Sequence, residues 1–408
     1  MRVWLKEKRK DVEIKIILFL ISPFFAFLYS LRRIKTKSSY LIFFLSAIFF
    51  GLSFTVDSGK EGGDSAFDGQ FYREKFENYQ YAISSDFWDG FISFLSFDEG
   101  KKDYYFDTLA FYCSRFTDNY HIMFMIVATV FIYFALKSFK FLTAEDNFDA
   151  SVISYILVYL FFYNQIFNIN GFRFWTAAWI AVYSIFQIYR NGDKRYFLLA
   201  LITPYFHGTY WVFLAILFIA QISKKFEKFW IILFVISFFA STLAVELIQG
   251  YYSYLPPFLS KLAEIYTGED VLGKTWSGFG WLPMIFKNAT TVYVTIMMLL
   301  FIRHSNEIKS NPKIKNIYLF LLVWMSIFNF LMFVPSLGNR FIQISYPFIA
   351  YIWLVIFKDH RYQNLILFIP LVFFWDILKN ILYYVQVLEF NFYYSSSLYL
   401  VYKYIVDF

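Results

Sequence analysis

Residues 168–186 read NINGFRFWTAAWIAVYSIF. After the turn-forming Asn-Ile-Asn-Gly, the run is apolar and aromatic, with Arg173 as its one charged group. The stretch 173–189 is long enough for a membrane helix, which needs roughly 17–25 residues. A guanidinium at the centre of such a helix costs about 2.5–3.5 kcal/mol on insertion scales. Arg173 is therefore expected at a membrane face, where the chain turns inward and a ligand or headgroup offsets that cost.

The rest of the chain has the same character. Of 408 residues, 59% are hydrophobic, 25% aromatic and only 16% charged, more apolar surface than a soluble core of this length could hide. Apolar runs fall at 14–30, 40–56, 120–136, 151–167, 173–189, 196–222, 229–248, 282–302, 317–337, 341–357 and 363–385. The reading is an all-α multi-pass membrane protein of about ten crossing helices plus one re-entrant helix pair. The short alternating strands of an outer-membrane barrel are missing from the sequence. The net charge of +7 resides in short loops and the N-terminus, with no basic groove interleaved with aromatics, so nucleic acid is not expected as a partner. One cysteine, Cys113, excludes an intramolecular disulfide and a CxxC metal site. The first apolar run continues into a basic loop with no small-residue cleavage site, so no signal peptide is expected.

Charge sets the expected topology. Segment 57–118 holds thirteen acidic and six basic residues and is placed outside. Segments 31–39, 190–195, 223–228, 303–315 and 358–361 are net positive and become cytoplasmic. Segment 249–281 is then a second extracytoplasmic loop, and the aromatic tail 386–408 lies along the outer interface. This scheme requires 196–222 to enter and leave on one side. Pro204 and the sequence YFHGTY supply a break, since proline removes a backbone donor and glycine loosens the turn. The arm 196–206 would reach only about 16 Å. The basic N-terminus MRVWLKEKRK conflicts with the scheme. Either 14–30, with Pro23 near its middle, does not fully cross, or the first span breaks the rule.

Several residues are candidates for chemistry. Arg340 repeats the setting of Arg173: Gly338-Asn-Arg-Phe opens span 341–357 as Gly171-Phe-Arg-Phe opens 173–189. Each start offers cap-forming residues, free backbone N–H groups and a guanidinium, a combination suited to phosphate. The two are expected to approach one another and face a shared outer-leaflet cavity. His207, at the break, suits proton abstraction. In the acidic loop, Asp68, Tyr72 and Phe76 recur at i, i+4 and i+8, one face of a helix, and Asp64 precedes them. Lys287 is a further cation for the anion site. Asp376 and Lys379 are expected to pair structurally. No HExxH, GxSxG, DxD or Walker pattern is present, so neither a metal nor a nucleotide sugar is indicated.

The order of these motifs resembles the EpsG-like branch of Wzy-type polysaccharide polymerases. It runs from an acidic loop through Asn-Gly-Phe-Arg-Phe and Tyr-Phe-His-Gly to a late Gly-Asn-Arg-Phe. The likeness covers most of 40–357. Members often carry Arg-Gln where this chain has Arg173-Phe174, and a glutamate near the position of Asp103. The resemblance implies a bacterial inner-membrane enzyme. It would transfer a growing glycan from undecaprenyl pyrophosphate to a lipid-linked repeat unit at the outer face, without cofactor or metal. Arg173 and Arg340 would stabilise the leaving pyrophosphate, and His207 or Asp68 would take the acceptor proton. Asp64, Tyr72, Asp103 and Lys287 join the substrate-binding set, with Trp276 and Trp281 stacking on sugars. Expected partners are the lipid-linked oligosaccharide, the bilayer, and flippase and chain-length regulator proteins. A flippase and an O-antigen ligase are the competing readings.

Overall fold

The computed structural model describes residues 4–55, 68–98, 102–223, 225–239, 247, 250–254, 260, 281–332, 337–374, 376–378 and 391–407. Among these residues every element is helical and no strand occurs. By length and composition, four helical stretches can cross a bilayer: Tyr120–Thr143, Val152–Arg190, Pro312–Phe330 and Gly338–Phe357. Shorter apolar helices span Lys37–Leu52, Tyr196–Phe206, Tyr210–Ile222, Ala289–Arg303 and Gln363–Val372.

The first apolar run is not one crossing, which corrects the span 14–30. It is a hairpin of α1 (Arg9–Ile21) and α2 (Pro23–Leu31), parted at Ser22, whose backbone is extended at φ −162°. Pro23 has no N–H to continue α1 but suits the first turn of a new helix. The Ser22 hydroxyl accepts from Phe25 N and donates to Tyr393 O. At 1.5 Å per residue the arms extend only about 20 and 14 Å. Lys15, buried, donates to Thr36, Ser38 and Ser39 at 2.7–3.0 Å and pairs with Glu7. Leu5 N bonds Lys35 O. The start of α1 and the start of α3 (Lys37–Leu52) therefore share one end of the bundle. The basic N-terminus and the basic 31–39 segment lie together, so the charge conflict in the sequence disappears.

Between α3 and the next long helix lie α4 (Asp68–Asn78), α5 (Ser84–Leu95) and α6 (Tyr105–Ser114). They lead into α7 (Tyr120–Thr143), which lies against α3. The crossing is close: a Cβ on Gly51 would stand 2.4 Å from Ala128 Cβ and 2.6 Å from Phe124 O.

The stretch Val152–Arg190 turns back on itself. Its arms are α8 (Val152–Phe161) and α9 (Phe172–Ile185, continued as a π turn to Arg190). Asn164 donates to Trp175 O, Trp179 Nε1 donates to Asn164 O, and the rings of Phe161 and Phe186 are 6.2 Å apart. In one straight helix those two rings would be about 37 Å apart.

A second hairpin follows. Tyr196–Phe206 runs antiparallel to α9, with Tyr196 5.5 Å from Tyr183 and His207 5.3 Å from Phe174, ring to ring. Tyr210–Ile222 returns, and Gln221 reaches Tyr189. Glu227 then meets Lys309 at 2.7 Å. Both ends of 196–222 thus lie at the level of the C-terminal end of α9, and His207 lies at the level of its start.

Pro312–Phe330 and Gly338–Phe357 are antiparallel, with Phe328 and Phe341 stacked at 4.5 Å and Trp324 Nε1 donating to Phe341 O. A buried hub closes the end shared by 31–39 and 190–195. Glu145 accepts from Arg190 (2.6 Å), Tyr351 (2.7 Å) and Lys313 (2.8 Å). Beside it Lys358 pairs with Asp149 at 2.8 Å. The opposite end carries α4–α6 and the starts of α9 and Gly338–Phe357. Asp376, the expected partner of Lys379, accepts from Tyr163 at 3.0 Å; Lys379 lies outside the described residues.

Candidate functional site

The site is assembled at that opposite end, from five segments far apart in sequence. The helix α4 forms because DGQFYREKFEN places Tyr72 and Phe76 on one face, and both are buried. Tyr72 is wedged against Phe172 (4.5 Å) and Phe106 (5.1 Å). Its hydroxyl accepts from Arg173 Nε at 2.9 Å, and the guanidinium lies over its ring. Asp103, from the stretch before α6, accepts both bonds of Arg173 Nη1, at 2.9 and 3.1 Å. The side chain of Asp103 is 5% exposed and that of Arg173 is 32% exposed. The carboxylate is thus locked in the protein, while the guanidinium keeps a face open to a ligand.

Asp103 also binds the turn of the second hairpin. The Gly208 N–H donates to it, and Tyr104 N donates to Tyr205 O at 3.0 Å. Gly208 packs so closely that a Cβ there would stand 2.6 Å from Lys102 O. Residues 102–104 and 205–208 therefore form one strap. Burial pushes the Asp103 carboxyl up from its ordinary range, against the pull of the Arg173 guanidinium and the Gly208 N–H. Burial also raises the Tyr72 phenol, with Arg173 opposing.

His207 stands in the turn, its Nδ1 2.8 Å from Thr209 Oγ1. It lies in the field of three cations: Arg173, Arg340 and Lys102. The ring of Phe174 links His207 to Arg340. His207 meets it edge-on at 5.3 Å, and the Arg340 guanidinium lies 5.5 Å from its centroid. Phe341 and Tyr210 pack on the same ring at 5.2 and 5.3 Å, and the Tyr210 hydroxyl donates to Phe174 O. Among the described residues Arg340 forms no ion pair with a carboxylate.

The geometry amends one expectation. Neither helix start is capped by a side chain: the N-cap positions are Gly171 and Leu337, and neither makes a side-chain cap bond. Asn170 accepts from Gly69 N at 2.9 Å and so ties the acidic loop to the start of α9. Asn168 donates to Asn164.

The candidates distribute as follows. Arg173, Tyr72, Asp103, His207 and Arg340 come together. Asp68 opens α4 beside them: a Cβ on Gly171 would stand 3.4 Å from its Oδ2. Asp64 and Trp276 lie outside the described residues, as do the side chains of Trp281 and Lys287, which sit on the Trp281–Arg303 helix. Sequence reasoning did not single out Phe174, Tyr210, Asn170, Thr209 or Lys102. Only Asn170 and Phe174 had a local signal, through their adjacency to Arg173.

A family model for EpsG matches residues 58–404, which include all of these residues. No curated protein and no solved structure matches the chain.

Proposed function

We propose that this chain, which belongs to the EpsG family, is a membrane glycosyltransferase that polymerises an exopolysaccharide. The growing glycan passes from undecaprenyl pyrophosphate to a lipid-linked repeat unit at the outer face of the bacterial inner membrane. The observation that supports this reading most is that Arg173 and Arg340 both act on His207, with the Phe174 ring packed between His207 and Arg340. A diphosphate leaving group needs cations held ready where charge develops, and preorganised donors of this kind supply a large part of catalysis.

The step is a displacement at the anomeric carbon of the donor glycan. The acceptor hydroxyl oxygen forms the new glycosidic bond, the bond to pyrophosphate breaks, and the electron pair leaves with the diphosphate. Arg173 and Arg340 bind that charge; guanidinium forks match phosphate oxygens. His207 takes the acceptor proton, its ring held in the turn at Nδ1 by Thr209, whose Oγ1 lies at 2.8 Å and whose backbone N–H reaches it at 3.4 Å. Asp68 is the second base within this neighbourhood. Tyr72 and Asp103 bind and orient Arg173.

In this reading the end with α4–α6 faces outward, and the hairpin 196–222 enters from the cytoplasmic side and returns there. The clustering of the basic segments 31–39, 190–195 and 358–361 at the other end supports that orientation. Deletion in the native host, followed by gel analysis of surface glycan, tests the function. Exported glycan of a single repeat unit is expected. Loss of all exported glycan would instead mean a transporter, and intact polymer that fails to reach its final acceptor would mean a ligase.

A further inference from the structure

The chain has four histidines, and two of them meet at the end of the bundle remote from the site above. His304 stands between the helices Trp281–Arg303 and Ser305–Ser310, and Glu307 lies one turn further on. His360 belongs to the turn after Gly338–Phe357. One ligand atom from each of the three lies within 4.8 Å of the others.

A bland account covers part of this. His304 is the N-cap residue and Glu307 the third residue of its helix, so their contact at 3.3 Å is an i, i+3 pair within one helical turn. That account does not reach His360, whose Nδ1 accepts the Tyr362 N–H at 3.4 Å. It also leaves His304 Nε2 buried without a hydrogen-bond partner, while Nδ1 is engaged by Glu307. An orphaned buried ring nitrogen costs free energy unless something binds it. The rings are also held in place. His304 and His360 are perpendicular at 5.0 Å, His360 stacks on Tyr362 at 5.0 Å, and Phe357 and Tyr362 each pack edge-on against His304 at 5.5 Å.

We propose that His304, Glu307 and His360 form a binding site for a divalent transition-metal ion of the Zn(II) class. Two imidazoles and one carboxylate suit such an ion, with a fourth position left for water. Mg(II) and Ca(II) demand more oxygen ligands than are gathered here. Ligands about 2.1 Å from a tetrahedral metal stand about 3.4 Å apart, so small side-chain rotations close the present spread. Neighbouring cations do not prevent it: Lys309 is already paired with Glu227 at 2.7 Å, and Arg361 lies over the Tyr362 ring. The ion clamps the end of Trp281–Arg303 to the 358–362 turn. That turn continues into Lys358 and its bond to Asp149, so the clamp stabilises the basic end of the bundle. It takes no part in glycan transfer.

The test uses the full-length protein in detergent, without a polyhistidine tag, stripped with a chelator and titrated with Co(II) and with Zn(II). One Co(II) per chain with a visible absorption band is expected, together with a higher melting temperature in Zn(II). His304→Ala, Glu307→Gln and His360→Ala should each weaken Co(II) binding by about tenfold or more. His207→Ala should retain it. If His360→Ala fails to fold, His360→Gln replaces it, and the wild-type stoichiometry stands as a separate measure. Less than one Co(II) per wild-type chain, or unchanged affinity in the His360 variant, would overturn the proposal.

Discussion

Arg173 and Arg340 carry the same charge in unlike settings. Arg173 is gripped by Tyr72 and Asp103, whereas Arg340 leans on an aromatic face. Arg340→Ala should lower polymerisation by about a hundredfold if the residue stabilises the leaving group. Arg173→Lys should cost about tenfold, because an ammonium cannot hold Tyr72 and Asp103 with one planar fork and still face a ligand. The double Arg→Ala variant should be less impaired than the product of the single effects, since both serve one diphosphate. Rates from purified enzyme with lipid-linked substrate would check all three; full additivity would separate the arginines. His207→Phe should abolish elongation with normal membrane levels, and retained polymer on gels would reassign the base to Asp68. These residues were legible because charges and histidine are rare inside apolar runs. The Asp103 partner was less so: seventy residues separate it from Arg173, and an acidic loop offers thirteen carboxylates. Asn170 escaped notice because Asn before a helix reads as a cap, whereas here it accepts from Gly69 N, a hundred and one residues away.

At the scale of elements, two hairpins decide how the chain is threaded. The break in 196–222 was legible from Pro204 and His207-Gly208. The break in 14–30 was only half legible: Pro23 marked it, but the grip on Lys15 comes from residues 36–39 of another helix. Cysteine labelling in a chain lacking Cys113 tests the threading. Probes at Lys8, Arg32, Asn191 and Lys225 should all label from the cytoplasmic side, and one at Ser85 from outside. Reaction of Asn191 and Lys225 from opposite sides would sink the hairpin as a re-entrant element. Gly208→Ala is a sharper probe of the strap. Its Cβ must push Lys102 O away from 2.6 Å, so the Asp103 contact to the turn should loosen and polymer length should fall at unchanged expression.

Over the whole molecule, Glu145 joins α7, α9, Pro312–Phe330 and Gly338–Phe357 at one point. Burial raises its pKa, but hydrogen bonds from Lys313, Arg190 and Tyr351 outweigh that and hold it below the ordinary 4.5. The stability this lends is complete above about pH 4.5 and is lost as pH falls through the lower folded value. Glu145→Gln leaves Arg190 and Lys313 without their counter-charge and should destabilise by about 3 kcal/mol at neutral pH. Its melting temperature should then fall less steeply in acid than that of the wild type; parallel pH curves would remove Glu145 from that role. The helical class followed directly from composition. The number of crossings did not, because an apolar run reads alike whether it spans or folds back, as 9–31 does.

The Asp103–Arg173 pair has a consequence for a protein immersed in anionic lipid. A bare guanidinium at a membrane face would be occupied by the singly charged headgroups that surround it in vast excess. A built-in counter-ion changes the competition. Phosphodiesters with one charge gain little by displacing a carboxylate already held in two bonds, whereas a pyrophosphate can bridge to Arg340 while Asp103 stays in place. Under the proposed function, the pair would act as a threshold that admits multiply charged headgroups and ignores common ones. Asp103→Asn should lower that threshold. Its activity in liposomes should become sensitive to added phosphatidylglycerol, while wild-type activity should remain insensitive over the same range.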